Sequence, residues 1–281
     1  MLNAGNLFLK FKTNKIMKTI VNQIVKVALI SSMGILAMSC TKQDSETGMY
    51  GSVLSVENDG VSSVNMNNLK SLLLDTSTAT ATEIANIKIA RDEEKLAHDV
   101  YVVMNETWNN QVFQRISMSE ARHYNALNAL LVSVGVSDIT VLAAGEFSNP
   151  SIKVLYDSLV QKGKMSLNDA FIVGATIEEL DIKDLSSFLN ATSNSNIDLV
   201  YSNLTRGSRN HLRAFVGQLT NAGINYAPIY LTSSDFTAII TSPVEKGNQY
   251  KMGNGKGKGN GKGKGNGQGN GSGQGDGSCN Q

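Results

Sequence analysis

Glu94, the Glu120-x-x-His123 pair, Glu178 with Asp181, and His211 are carboxylates and imidazoles spread over four separate stretches of the sequence. Residues three apart on a helix project to the same side, so Glu120 and His123 can reach one ion or two adjacent ions. Glutamates from neighbouring helices can bridge two ions, and a shell of carboxylate and imidazole suits iron or manganese better than sulfur-loving metals. Glu94, Glu120, Glu178 and Asp181 together supply four negative charges, which two divalent ions would neutralise. Without that compensation, such a cluster in a core must protonate or destabilise the fold.

Taken singly, each residue has a plainer reading. A Glu-x-x-His arises often by chance on exposed helix faces, and Glu93-Glu94-Lys95 is the usual pattern of a solvated face. His211 beside Asn210 fits a core histidine bonded to a backbone carbonyl. His98, next to Asp99 and off the Glu94 stripe, reads as surface or as support behind a ligand. The metal reading rests on coincidence: four predicted helices each place a ligand-type residue near mid-length on the buried side.

Those helices are amphipathic. Ile87, Ala90, Ala97, Tyr101, Met104 and Trp108 recur at spacings of three and four and predict a first core helix over about 82–107, with Glu94 on the stripe. Tyr101, two turns from Glu94 on the same stripe, reads as a core tyrosine, with a hydrogen-bond partner behind a ligand or a redox residue as the alternatives. After Trp108-Asn109-Asn110, the stripe Phe113, Ile116, Leu127, Leu130 and Val134 predicts a second helix over about 111–134 and contains both Glu120 and His123. Gly135 is a suitable stop. A loop over 136–150 leads to a shorter helix from Ser151 to about Gln161, closed by Gly163. Ser166-x-x-Asp169 opens a third core helix carrying Glu178, Glu179 and Asp181. The fourth, about 197–221, has a stripe of Val200, Leu204, Ser208, His211, Phe215 and Leu219. Residues 224–245 are apolar enough to wrap the bundle as extended chain plus a short helix.

The ends of the 281-residue chain have a different character. Lys10, Lys12, Lys15, Lys18 and Lys26 precede an apolar run from Val27 to Met38, then Ser39 and Cys40, so residues 1–39 read as a secretory signal. Two cysteines, Cys40 and Cys279, argue against a disulfide framework. Residues 40–80, rich in Ser, Thr, Asn and Asp, read as a flexible tether with a short helix from Met66 to Leu74. Glycine fills every odd position from Gly253 to Gly277, so residues 246–281 read as a disordered tail. The folded domain is expected over 81–245. A net charge of +1, with the basic residues concentrated at the two ends, points away from specific nucleic-acid binding.

Four ordered segments resemble a known family: Arg91 to Tyr101, Ser119 to His123, Val173 to Ile182 and Arg206 to Phe215. They are similar to an uncharacterised ferritin-like family of bacteria and archaea, domain of unknown function 2202. More distantly, Glu94, Ala97 and Tyr101, then Glu120 and His123, then Glu178 and Asp181 resemble the helix motifs of rubrerythrins, with Glu179 a competing candidate. The fourth-helix motif retains His211, but Ser208 stands where a glutamate would be. The resemblance implies a di-iron or related centre, with the second ion weakened, held by Asp181, or absent. No four-cysteine iron site of the rubredoxin kind is present, which implies an external electron donor. Leu36 to Cys40 resembles the lipobox of bacterial lipoproteins, and Thr41 to Glu46 the export tag of surface lipoproteins.

The expectation is therefore an all-α, ferritin-like four-helix bundle with a short extra helix between core helices 2 and 3. It would hold one or two ions of iron, manganese or zinc through Glu94, Glu120, His123, Glu178, Asp181 and His211. The expected role is metal binding, with oxidoreductase action on peroxide, oxygen or iron outside the cytoplasm. The alternative is a metal-free surface binding or scaffold module. Expected partners are a membrane reached through lipid at Cys40, an electron donor and a second copy of the chain. The expected location is the cell envelope, at the outer membrane or cell surface.

Overall fold

A computed structural model describes residues 53–56, 62–73, 78–137 and 141–246. Within them the chain is all-α apart from one small ribbon: β1 Leu54–Val56, β2 Ser62–Val64, then α1 Met66–Leu72, α2 Ala81–Trp108, α3 Gln111–Ser133, α4 Pro150–Gly163, α5 Leu167–Ala191, α6 Ser195–Asn221 and α7 Ser233–Thr241.

Local chemistry sets the helix ends. Thr80 and Glu83 form a reciprocal capping box at the start of α2. Asn109 ends that helix in the left-handed conformation at φ 47°. Asn110 then caps α3 through Val112 N, so a two-residue link reverses the chain. Asn149 caps α4, with Pro150 in the first turn where its missing N–H costs nothing. Ser166 caps α5 and Asn194 caps α6. Gly163 is the last residue of α4, as its expected closing position implies, and a β carbon there would lie 2.3 Å from Met104 Sδ, so any other residue would push the Met104 thioether aside.

The four long helices pack as two hairpins, α2 on α3 and α5 on α6, joined by α2–α5 and α3–α6 contacts. Helix α4 lies against α2 and α5. The apolar core is split into two clusters. One contains Leu96, Tyr101, Met104, Phe113, Ile116, Phe171, Ile177 and Phe215. The other contains Ile87, Ala90, Leu127, Leu130, Leu185, Phe188, Val200 and Leu204. Each long helix passes from one cluster to the other near its middle, and the ligand-type residues sit at those crossings.

Part of the segment expected as a tether is structured. Strands β1 and β2 pair antiparallel, with Leu54 opposite Val64 and Val56 opposite Ser62. They lie against α6 and α3, and Val53, Leu54, Val64, Leu69 and Leu73 are buried. Three-residue strands are too short to display the alternation that marks a strand in a sequence, and tertiary packing rather than propensity holds them. Residues 1–39, Cys40 and the glycine-rich tail from Gly253 lie outside the described residues. Among the described residues no helix is long and apolar enough to cross a membrane.

Candidate metal centre

At the crossing layer α2 presents Glu94, α3 presents Glu120 and His123, α5 presents Glu178 and Asp181, and α6 presents His211. All six are buried, with exposures of 3% or less. Five of them form two groups that share one member. Glu94, Glu120 and His123 make the first; Glu120, Glu178 and His211 make the second. In each group the ligand atoms lie within 4.8 Å of one another. Donors at about 2.1 Å from one ion are up to about 4.2 Å apart, so small side-chain shifts bring either group onto an ion.

The contacts within the layer have an informative geometry. His123 Nδ1 lies 2.8 Å from Glu120 Oε2 and 3.2 Å from Glu94 Oε2. His211 Nδ1 lies 2.8 Å from Glu120 Oε1 and 3.5 Å from Glu178 Oε2. Yet Glu120 Oε1 and Oε2, Glu178 Oε2, Asp181 Oδ2 and His211 Nδ1 have no partner aligned as a hydrogen bond. Buried polar atoms in a native core are nearly always hydrogen-bonded. Apart from the hydrogen bond between His123 Nδ1 and Glu94 Oε2, these donors crowd together without aligning, which fits a shared cation better than a hydrogen-bonded network. The two imidazole rings stack with centroids 5.5 Å apart, and Glu120 turns one oxygen toward each Nδ1.

Electrostatics divides the carboxylates. Burial pushes Glu120 up, but His211 and His123 outweigh it and hold this carboxyl well below its ordinary value of 4.5. Burial raises Glu94 to about 8, opposed by His123 and reinforced by Glu120. Burial and the Glu120 charge raise Glu178 to about 7. Asp181 is pushed well above 3.8 by burial and by Glu94 and Glu178. Burial lowers both histidines, but Glu94 and Glu120 raise His123 to about 9, and Glu120 and Glu178 raise His211 to about 10. Protons thus do what metal charge would do: they neutralise clustered ligands in a low-dielectric layer. A cation entering this layer exchanges for protons.

Asp181 belongs to neither group, although it is buried beside them and its charge bears on Glu94 and Glu178. Ser208, in the position of the absent glutamate, donates to Leu204 O at 3.2 Å. His211 is not left without carboxylates, because Glu120 and Glu178 come to it from α3 and α5. Glu179 faces away from the layer and accepts from Tyr226 Oη and the backbone N–H groups of Ile229, Tyr230 and Leu231. Glu93 pairs with Asp184. His98 is partly exposed and bonded to Asp99 at 2.9 Å, as its position off the stripe implied.

Tyr101 fills two of the roles open to it: it is a buried core residue, and its hydroxyl donates to Glu178 Oε1 at 2.7 Å. Two further supporting residues, Ser62 and Gly207, were not expected from the sequence. Ser62 Oγ lies 2.9 Å from His123 Nε2 and 3.1 Å from His211 Nε2. Gly207 stands against the His123 ring. A glycine inside a helix, between Arg206 and Ser208, was the available signal for that close approach. Ser62 had no such signal, lying in a polar stretch without periodicity.

The helical part of the chain is similar to known sequences and to a solved structure. A protein of Methanocaldococcus jannaschii, Uncharacterized protein MJ0754, is 47% identical over 158 residues, which cover 56% of this chain and 85% of that protein. The crystal structure of hypothetical protein MJ0754 from Methanococcus jannaschii superposes with a TM-score of 0.59 at 44% identity, covering 60% of this chain and 97% of that one. Residues 83–243, which run from the first turn of α2 to beyond α7, match the family described as Uncharacterized protein domain (DUF2202), and the chain belongs to that family.

Proposed function

We propose that this protein is a ferritin-like metal-binding domain whose centre takes one or two ions, iron foremost and manganese or zinc as alternatives. The observation that carries this reading is the pair of Glu/His groups sharing Glu120 in a fully buried layer. Each group offers two carboxylates and one imidazole, a donor set suited to divalent first-row metals. Glu120, kept ionised by two imidazoles and turning one oxygen toward each, would serve both groups at once. Its first-helix, second-helix and third-helix motifs resemble those of rubrerythrins, which supports the ferritin-like assignment.

Bound iron supplies electron transfer toward oxygen or peroxide. The surrounding residues serve that chemistry as a dry, proton-rich compartment. Leu96, Ile177 and Tyr101 on one side and Ala90, Leu127 and Leu204 on the other exclude bulk water. Tyr101 holds a proton at Glu178 Oε1 and fixes that carboxylate's rotamer. We further propose that the protein works in the cell envelope, anchored by lipid at Cys40, with electrons delivered by a separate protein.

The test is elemental analysis of purified protein after expression in iron-replete medium and after reconstitution of the stripped form. One or two ions per chain are expected, and iron-loaded protein should change its absorption spectrum on addition of peroxide. Well-folded protein that carries no metal and takes up none on reconstitution would overturn the reading.

A further inference from the structure

We infer that Ser62 is a positioning residue of the metal centre. Its hydroxyl fixes both histidines as Nδ1 ligands, and the N-terminal ribbon is therefore part of the site. This rests on the metal-binding reading above. The observation behind it is the opposite facing of the two ring nitrogens. Nδ1 of His123 and of His211 point into the carboxylates. Both Nε2 atoms point away from them and meet at one oxygen, Ser62 Oγ, at 2.9 Å and 3.1 Å.

The stoichiometry is apt. An imidazole that ligates through Nδ1 carries its proton on Nε2 and must donate it. Two such rings present two N–H donors, and a hydroxyl oxygen has two acceptor lone pairs. The partner that a ligating histidine uses behind the metal sets both its tautomer and its orientation. Here one side chain serves both rings, so neither imidazole can flip without leaving a buried N–H unmet.

Ser62 is itself held by the helix that carries the ligand pair. Its backbone N–H donates to Ser119 Oγ at 3.2 Å, and its carbonyl accepts from Arg122 Nη1 at 3.3 Å. Ser119 and Arg122 immediately precede Glu120 and His123. Helix α3 therefore ligates with one pair of residues and fastens the ribbon with the pair beside them. Pairing of Ser62 with Val56 in β1 completes the attachment, and Ser62 is wholly buried. Gly207 leaves the space: a β carbon there would come within 3.2 Å of Ser62 Oγ and 2.6 Å of His123 Cε1. The family match begins at residue 83, so this ribbon adds to the centre from outside the matched domain.

Two measurements on the full chain test the inference, with zinc as a diamagnetic probe. Nitrogen-15 NMR of the zinc-loaded wild type should show both site histidines metal-bound at Nδ1 and protonated at Nε2. Ser62→Ala should weaken zinc about 10- to 100-fold in competition with a chelator, and should also lower the melting temperature of the metal-free protein, because two buried imidazole N–H groups lose their acceptor. Wild-type rings bound through Nε2, or an unchanged zinc affinity in Ser62→Ala, would overturn it. The wild-type spectrum decides the matter even if the variant folds poorly. A wild type that takes up no zinc and no other metal removes the functional reading, and this inference falls with it.

Discussion

Glu178 and Glu179 are adjacent on α5 and do opposite things. Glu178 turns into the ligand layer, where Tyr101 donates to it and His211 Nδ1 stands 3.5 Å away. Glu179, about 100° further round the helix, accepts three backbone N–H groups and the Tyr226 hydroxyl from the segment that follows α6. One carboxylate belongs to the centre, and the other fastens the C-terminal extension to the bundle.

That division predicts separable mutants. Glu179→Ala leaves several buried donors without an acceptor and should cost about 2–4 kcal/mol of stability, read as a lower midpoint in urea. Its metal content at saturating metal should stay that of the wild type. Glu178→Ala should do the reverse, lowering metal content with a smaller loss of stability. Loss of metal in the folded Glu179 variant would show that the two faces are not independent.

Glu120 is the shared member of the two groups. Glu120→Ala should therefore lower occupancy at both positions, whereas His123→Ala and His211→Ala should each lower it mainly at one. Metal-to-protein ratios for the three variants under the same loading check this. A Glu120 variant that keeps full metal content would show that the two groups do not depend on their shared member.

Gly207→Ala sets two effects against each other. Alanine in a helix interior ordinarily gains about 0.5–1 kcal/mol over glycine. Here the added carbon would lie 2.6 Å from His123 Cε1, closer than real contacts come. Overpacking costs about 1–3 kcal/mol and should win. The variant should melt lower and bind metal more weakly, and a stabilised Gly207→Ala would show that the His123 ring has room to retreat.

The pH dependence of the metal-free protein follows from the raised groups. Folding lifts Glu94 from 4.5 to about 8, Glu178 from 4.5 to about 7, His123 from 6.5 to about 9 and His211 from 6.5 to about 10. In each case the folded state binds more protons than the unfolded state. Stability is then full below the unfolded values and falls as pH rises through the folded ones. Glu120 has the opposite sign, but its window lies below 4.5. Chelator-treated protein should lose thermal stability steadily from about pH 4.5 to about pH 10. Metal affinity should rise over that range, because binding displaces those protons. A flat melting profile in chelator would contradict the proton-filled layer.

Anchoring is tested at Cys40. Cys40→Ser should move the protein from a detergent-extracted membrane fraction to a soluble or uncleaved form, since several acyl chains hold a membrane where one holds only marginally. A wild type found freely soluble outside the cell would remove the lipoprotein proposal.

Much of the bundle was legible from local pattern. Helical spacing of Ile87, Ala90, Ala97 and Met104 marked α2, and similar stripes marked α3, α5 and α6 to within a few residues, because burial of one face imposes a period on the chain. Capping chemistry at Ser166 and the stop at Gly135 located two ends for the same reason: those signals act within a few residues. The ligand-type residues were also legible, since a charge on an apolar stripe breaks the pattern and stands out.

Only the tertiary structure decided how those residues combine. A helical wheel cannot separate Glu178 from Glu179, because the buried arc of α5 includes both and their partners come from different elements. It could not place Asp181 outside the two groups, nor supply His211 with carboxylates from α3 and α5 in place of one at Ser208. Ser62 was the least legible of all. Its contacts to His123 and His211 span 61 and 149 residues of sequence, and three-residue strands carry no period of their own. Local pattern reports which side of an element is buried; what it is buried against depends on chain segments that pattern cannot see.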